Sequence, residues 1–477
     1  MRKYPLLLLA LILAFTVPAV LAVTALDAPK DQIAFTEQVL CGDPSAASGL
    51  TVRLDTQYRY YLRWRSDITF SPTCYTAQTA YTFENGRYWD NGASEPCDLY
   101  ITDGISSGFG IEDENPLSAA VQALKDKVQP GTAASSILRV ADYCETYPLE
   151  INIVLPNLFY GTQASYLYGP EQDAIDRLNA FFQIPVLPDQ YLQIEVEKSV
   201  DGGQSVGISS AEQGDSFNFY TQSIATADAF YFFFDNKTVN GQYIDTSRIP
   251  GGYGLYCLPY GQVDTEKPYK GQPDGWQGYD VFADCLTCLY PVSPDTTLTH
   301  LAASADGTRL FLHTVEDGVY NILMLDAKTG ALLQRCPLLP FDAASAWADR
   351  VDGQDFQLVR FDDQFFLYAL QPDGTLRQAL HVMLSEQERS ETFFPWYSTQ
   401  NRAFAWQDGR LAVVCSERHS SAVRPYSSSL DCGFTVAIYA EDALQYYGLY
   451  PSSLDAANAT GDLSPAYRTP ISCTLAP

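Results

Sequence analysis

LTHLAASADGTRLFLHTVEDGVYNILMLDAKTGALLQRCP, residues Leu298 to Pro337, is the stretch that decides how this chain folds. Asp306-Gly307, Asp317-Gly318 and Thr329-Gly330 are turn signals, because Asp and Gly tolerate the backbone angles that tight reversals demand. Between them, apolar residues alternate as strands with two distinct faces require. The stretch therefore predicts four short strands in sequence, each reversing on the last.

Weaker copies follow it. Phe356–Phe361, Gln364–Leu370 and Leu376–Val382 repeat the pattern, with Asp373-Gly374 standing 44 residues after Thr329-Gly330. Another round starts at Phe404, turns at Asp408-Gly409, and continues through Leu411–Cys415, Phe434–Tyr439 and Leu444–Leu449. Upstream, Ala229–Phe234, Gly254–Leu258 and Cys285–Val292 read as buried strands, and Gln262–Asp280 as a long exposed loop rich in Gly, Pro and charge. Recurrence at roughly 40–50 residues, with several short strands per unit, is the mark of radial β repetition.

The unit S-A-D-G-T-R-L-F-L…Y-N-I-L-M-L-D-A-K-T-G-A-L-L resembles a blade of the quinoprotein-like and WD40-like β-propeller superfamily. The resemblance covers one unit well and two more loosely, over about Leu298–Tyr450. It implies a mainly all-β chain, a divergent propeller of roughly six to eight blades, with residues 226–455 the most blade-like part. A β-sandwich joined to a partial propeller is the other architecture the pattern allows. Closure has a physical reason of its own, since short strands cannot bury a face alone and open edges invite aggregation.

The N-terminal half is less regular. Gln38–Cys41 and Thr51–Trp64 read as strands, and Tyr75–Phe83 as one arm of a hairpin turning at Asn85-Gly86. Two helical insertions interrupt the strands. One is capped by Asn115 and carries Leu117, Val121, Leu124 and Val128 on one face. The other follows Gly169-Pro170 with Ile175, Leu178, Phe181 and Phe182 on one side. Tyr191–Lys198 alternates cleanly and turns at Asp201-Gly202-Gly203 into a returning strand.

The chain begins with Arg2 and Lys3 ahead of an apolar run from Leu6 to Leu26, the pattern of a secretory signal. Residues 1–25 are thus expected to be a cleaved signal peptide or an uncleaved anchor, and residues 26–477 an extracytoplasmic domain. The net charge is −28, from 29 basic and 57 acidic residues. Nucleic acid is excluded as a partner because no basic stripe exists to neutralise phosphates. Membrane contact is expected only through the N-terminal segment, if uncleaved. Eleven cysteines leave at least one thiol unpaired in a monomer. Cys415 and Cys432 are expected to lie close enough for a disulfide if Arg410–Cys415 and Gly433–Tyr439 form a hairpin.

No complete reactive constellation is legible, so no catalytic, cofactor-binding or metal-binding residue is assigned. Gly104-Ile105-Ser106-Ser107-Gly108 matches the nucleophile-elbow pattern but lacks the helix that must follow it. Cys285-Leu286-Thr287-Cys288 has no second pair to complete a zinc site, and the residues after it favour a strand. His300, His313, His381 and His419 include no local ligand pair. Asp306, Asp317, Asp326, Asp362, Asp363 and Asp408 fall mostly where turns favour aspartate. The aromatic clusters Tyr58/Tyr60/Tyr61, Phe230–Phe233 and Tyr446/Tyr447 read as strand filling. The function expected is therefore an extracytoplasmic binding or interaction module for a protein or glycan, working through loops at one face. The rival is a carbohydrate-active enzyme of glycoside hydrolase type with axis-facing carboxylates.

Overall fold

The computed structural model describes residues 15–18, 20, 34–58, 62–83, 98–105, 116–154, 172–217, 219–263, 278–340, 347–349, 355–389, 402–416, 433–452 and 471–476. In chain order the strands begin with β1 (Gln38–Gly42), β2 (Leu50–Tyr58), β3 (Leu62–Phe70), β4 (Tyr75–Phe83) and β5 (Asp98–Asp103). Helix α1 (Ser118–Lys125) precedes β6 (Thr132–Arg139) and β7 (Leu149–Val154). Helix α2 (Gln172–Phe181) precedes β8 (Gln190–Lys198), β9 (Gln204–Gly214), β10 (Thr221–Ala225), β11 (Ala229–Phe234), β12 (Gly254–Val263), β13 (Gly278–Val281) and β14 (Thr287–Pro291). Next come β15 (Thr297–Ala303), β16 (Arg309–Glu316), β17 (Val319–Asp326) and β18 (Leu332–Pro340). They are followed by β19 (Trp347–Asp349), β20 (Phe356–Arg360), β21 (Gln364–Leu370) and β22 (Leu376–Met383). The last are β23 (Arg402–Gln407), β24 (Arg410–Ser416), β25 (Phe434–Ala440), β26 (Ala443–Tyr450) and β27 (Ile471–Leu475).

The opening stretch folds as its turns require. β15 to β18 form a four-stranded antiparallel meander. Glu316 pairs with Val319, so Asp317 and Gly318 make a two-residue reversal with φ of 50° and 73°. Positive φ at both centres is the hairpin turn that matches strand twist. The middle strands are buried on both faces, as an inner layer of stacked sheets must be. β19 to β22 make a second meander in the same order, and β23 to β26 a third. β10, β11, β12 and β14 form another, with β13 paired to the far end of β12.

The chain divides into two compact units: Met1–Asn91, Leu358–Ala369 and Arg377–Pro477 make the first, Gly92–Gln357 and Leu370–Leu376 the second. In the first unit the two ends of the chain are woven into sheets. β1 joins β26 as a fifth strand, and β27 completes a sheet in the order β27-β2-β3-β4. Arg410 ties these ends together, donating from Nη1 to the Ser48 carbonyl at 2.7 Å and from Nη2 to the Ala476 carbonyl at 3.3 Å. The core of this unit packs Leu50, Val52, Val414, Phe434, Val436 and Tyr450.

In the second unit α2 inserts Leu178 into the core, and Phe182, the residue just after the helix, joins it there. The Phe182 ring lies 4.9 Å from Tyr256 and 5.7 Å from Phe234, both edge-on, the arrangement aromatic quadrupoles favour. Phe181 and Ile175, the other members of the predicted face, are half-buried. Helix α1 lays Val121, Leu124 and the following Val128 on a separate three-stranded sheet, β6-β8-β9, against Ile194 and Val196.

Three readings of the sequence need correction, and a fourth, the Asn85-Gly86 hairpin, falls outside the described residues. Thr51–Trp64 is not one strand: Tyr58 pairs with Leu62, and the reversal carries no Gly, Asn or Pro to announce it. Tyr75–Phe83 pairs along its length with β3, while the predicted Asn85-Gly86 turn lies outside the described residues. The ends of the Gln262–Asp280 loop are zipped, with Gln262 opposite Tyr279 and Val263 opposite Gly278. Helix α1 is preceded by Leu117 without a side-chain cap, and Asn115 lies outside the described residues. Among the described residues no helix is long and apolar enough to cross a membrane.

Candidate functional site

Two buried polar residues of the blade Thr297–Pro340, His313 and Tyr320, are joined by hydrogen bonds to each other and, through His313, to Gln357 of the next meander. His313 stands directly opposite His300 in the β15/β16 register, and their rings meet edge to face at 5.0 Å. His313 Nδ1 lies 2.9 Å from the Tyr320 hydroxyl, and Nε2 lies 3.1 Å from Gln357 Oε1. The Gln357 amide nitrogen donates to the Phe356 carbonyl at 2.8 Å, so Oε1 is the atom that accepts from His313. Nε2 therefore carries the proton, and Nδ1 accepts from Tyr320. Burial lowers the imidazole pKa to about 4, with the Gln357 bond opposing. Burial likewise pushes the Tyr320 phenol well up, with the Thr299 hydrogen bond opposing. The set is a neutral structural tie between consecutive blades.

The carboxylates named from sequence sit in turns. Asp306 accepts from Ser304 Oγ, Thr308 N and Thr308 Oγ1 at 2.7, 3.0 and 2.8 Å, and these bonds lower its pKa to about 2. Asp326 accepts from the Thr329 hydroxyl and amide at 2.7 and 2.8 Å, which likewise lowers its pKa. Asp317 and Asp408 occupy the first centres of their reversals at φ 50° and 49°. Asp362 and Asp363 occupy the bend between β20 and β21. Sequence reasoning passed over three buried carboxylates, Asp103, Asp215 and Glu388, of which Asp103 accepts from the Ile105 amide at 3.2 Å. Glu388 accepts from the Ser385 amide and hydroxyl and from the Tyr439 phenol, at 2.9, 2.6 and 3.0 Å. Asp215 accepts from the Ser216 and Asn240 amides at 2.8 and 3.1 Å. Burial raises its pKa, but the Thr238 hydroxyl and those amides outweigh it and leave the group lowered.

Cys285 ends a short 3-10 turn, Ala283–Cys285, rather than beginning a strand as predicted, and it is exposed. Its partner Cys288 is half-buried on β14, where burial pushes the thiol up to about 11. That holds the thiol protonated, the opposite of a reactive cysteine. Gly104 and Ile105 close β5, with the Gly104 amide on the Pro148 carbonyl at 2.6 Å, while residues 106–108 lie outside the described residues. His381 stacks on Phe366 at 4.3 Å with Nε2 at 2.7 Å from Gln364 Oε1, and His419 lies outside the described residues. β24 and β25 do form the predicted hairpin, Cys415 facing Thr435, but Cys432 lies outside the described residues. Among the described residues no group of three His, Cys, Asp or Glu side chains is placed to hold a metal.

Phe230–Phe233, Tyr446 and Tyr447 are buried strand fillers; the side chains of Tyr58, Tyr60 and Tyr61 lie outside the described residues. Phe15, Tyr100, Tyr143 and Phe282 are exposed in other parts of the chain, while Tyr220 and Tyr243 stand together on loops at one end of the β10–β12 sheet. The β10/β11 pairing continues past the strands, through Asp235 N to Tyr220 O at 3.2 Å and Val239 N to Ser216 O at 2.8 Å. Asp215 holds the tip through the Asn240 amide, and Thr238 closes it through Gln242. Lys237 Nζ reaches Thr297 Oγ1 at 2.9 Å and stands 5.1 Å over the Tyr243 ring, whose hydroxyl donates to the Asp295 carbonyl. This framework leaves Tyr220 67%, Val239 68% and Tyr243 46% exposed.

No family model and no curated protein matches the chain. Among solved structures it is similar to a protein from Lactobacillus plantarum, at 11% identity over 83% of this chain and 94% of that one, with a TM-score of 0.26. It is similar also to the WD40 domain of SCAP from fission yeast, at 10% identity over 88% and 74% of the two chains, with a TM-score of 0.23. A third is the Cps50 (Swd1) β-propeller domain of Myceliophteria thermophila, at 10% identity over 53% and 82%, with a TM-score of 0.23. The chain's own sheets are what identify the fold. They are β-propeller blades. Four-stranded antiparallel meanders recur in succession, and the strand order within each is the one its turns dictate.

Proposed function

We propose that the protein is an extracytoplasmic binding module that engages a protein or glycan ligand through the loop end bearing Tyr220, Val239 and Tyr243. The observation that carries the reading is the exposure of these three side chains on loops braced from beneath. Large side chains on a tethered loop lose little entropy on binding. Tyrosine offers an apolar ring and a hydrogen-bonding tip together, the combination that enriches it at recognition surfaces. Loops on a rigid β scaffold are where recognition residues concentrate. The N-terminal apolar run supports export, and an acidic surface keeps an exported protein soluble and disfavours nucleic acid. Glycan and peptide arrays, probed with the wild type and with a Tyr220→Ala/Tyr243→Ala variant, test the reading. Binding on either array that drops at least tenfold in the variant supports it. Silence on both arrays, or the absence of any glycan or peptide whose binding the substitutions weaken, overturns it.

A further inference from the structure

The three-stranded sheet β6-β8-β9 presents its second face and one long edge to solvent, and both are lined in a way that selects a partner. Helix α1 covers the face built from Ile194 and Val196. On the other face, Glu195 and Glu197 of β8 are exposed, opposite Gly207 and Ser205 of β9. Neither carboxylate meets a cation among the described residues. A Cβ added at Gly207 would find nothing within 4 Å, so the lane from the edge to Glu195 is open.

The edge itself is unguarded. β9 pairs only with β8 among the described residues, and the register runs without a shift from Gln204 to Ser210. That run, Gln-Ser-Val-Gly-Ile-Ser-Ser, holds no proline and no charge, the devices by which edge strands normally refuse a further strand. We propose that an extended basic segment of a partner adds beside β9 as a fourth strand. Alternate Lys or Arg side chains of that segment lie across Ser205 and Gly207 to reach Glu197 and Glu195. An added strand stands two inter-strand spacings from β8, about 10 Å, which a long basic side chain and a glutamate span together. Main-chain bonds to the edge supply affinity and the alternate side chains supply specificity, as in other strand-addition complexes. A second copy of this chain is the poorer occupant, because each copy carries a net charge of −28.

The test is fluorescence anisotropy with a labelled eight-residue peptide alternating Lys with Thr or Val, beside an isomer with its lysines contiguous and a Glu-for-Lys counterpart. The full-length protein is expected to bind the alternating peptide at least tenfold more tightly than either control, and more weakly as salt rises. Glu195→Gln/Glu197→Gln should weaken it at least tenfold. Gly207→Lys should do the same, by filling the lane and offering Glu195 an internal cation. Tyr220→Ala/Tyr243→Ala should leave it unchanged, which separates this edge from the loop end. Equal binding of the contiguous isomer, no binding of the alternating peptide, or indifference to the β8 and β9 substitutions overturns the proposal.

Discussion

Lowering the pH should weaken the fold through His313, and the size of the effect follows from its burial. The imidazole is fully enclosed and neutral, with a folded pKa of about 4 against 6.5 for the free side chain. The unfolded chain therefore binds a proton that the folded chain refuses, and stability falls with pH where that is so. The contribution is complete above pH 6.5 and is lost as pH falls through the window down to about 4. At about 1.4 kcal/mol per unit, the loss reaches about 2 kcal/mol by pH 5 and about 3 kcal/mol by pH 4. The assay is urea denaturation of the wild type and of His313→Gln at intervals from pH 7.5 to pH 4. Gln introduces no titrating group, so the fixed cost of the replacement cancels and only the slope differs. The wild type's advantage over the variant should shrink by about 3 kcal/mol across the range. Asp306 does not confuse the reading, because its lowered pKa of about 2 places its own loss below pH 4. A difference that stays constant with pH would falsify the neutral, buried histidine and with it the blade-to-blade tie.

Two glycines in the opening stretch give a matched pair. Gly318 and Gly330 both have positive φ, but a Cβ at Gly318 meets nothing within 4 Å, whereas at Gly330 it lies 2.3 Å from the Leu289 carbonyl oxygen. Gly318→Ala should cost about 1 kcal/mol and Gly330→Ala about 3 kcal/mol or more in thermal denaturation; equal costs would show that the Leu289 contact is not as tight as described. Arg410→Ala removes the donor that holds the Ser48 and Ala476 carbonyls. It should lose about 2 kcal/mol and speed proteolysis at both termini, and an unchanged cleavage rate would refute the clasp. Peptide mapping of the protein purified without reductant should recover Cys415 joined to Cys432, and alkylation of both would dismiss that pairing.

The legible parts of the fold are those whose turns carry their own chemistry. Asp317-Gly318 and Asp408-Gly409 announce reversals because Gly alone takes the second centre without strain, and both hairpins stand where the sequence places them. Glu441 and Asp442 make the same kind of reversal at φ 51° and 60° with no glycine, so nothing in composition marks it. β6 is invisible for another reason. Thr-Ala-Ala-Ser-Ser-Ile-Leu-Arg has weak strand propensity and is held by its pairing with β8. β27 pairs with β2 from the opposite end of the chain, a contact no local window contains. The exposed loop-end aromatics are hidden in the sequence in a similar way. Tyr220 and Tyr243 resemble the many buried tyrosines in type, and only the position of the β10/β11 extension decides that they face water.

The period in the sequence held more chemistry than its turns show. His313 and Gln357 are separated by 44 residues, the same interval that separates the Gly330 and Gly374 turns, and each lies on the second strand of its meander. They occupy equivalent places in successive blades, and the hydrogen bond between them is the repeat recognising itself. Gln334 makes a second tie of this kind, exchanging bonds with the Leu376 amide and carbonyl at 2.8 and 2.7 Å across a similar interval. Taken singly, each histidine is a minor polar residue on an apolar strand. A buried polar group in a repeating β fold must find its partner, and its own strand neighbours cannot always supply one. The place to look is one period along the chain. By that rule His313 predicts Gln357 before any coordinates are seen, and a variant such as Gln357→Leu should expose the tie by lowering stability as much as losing the histidine does.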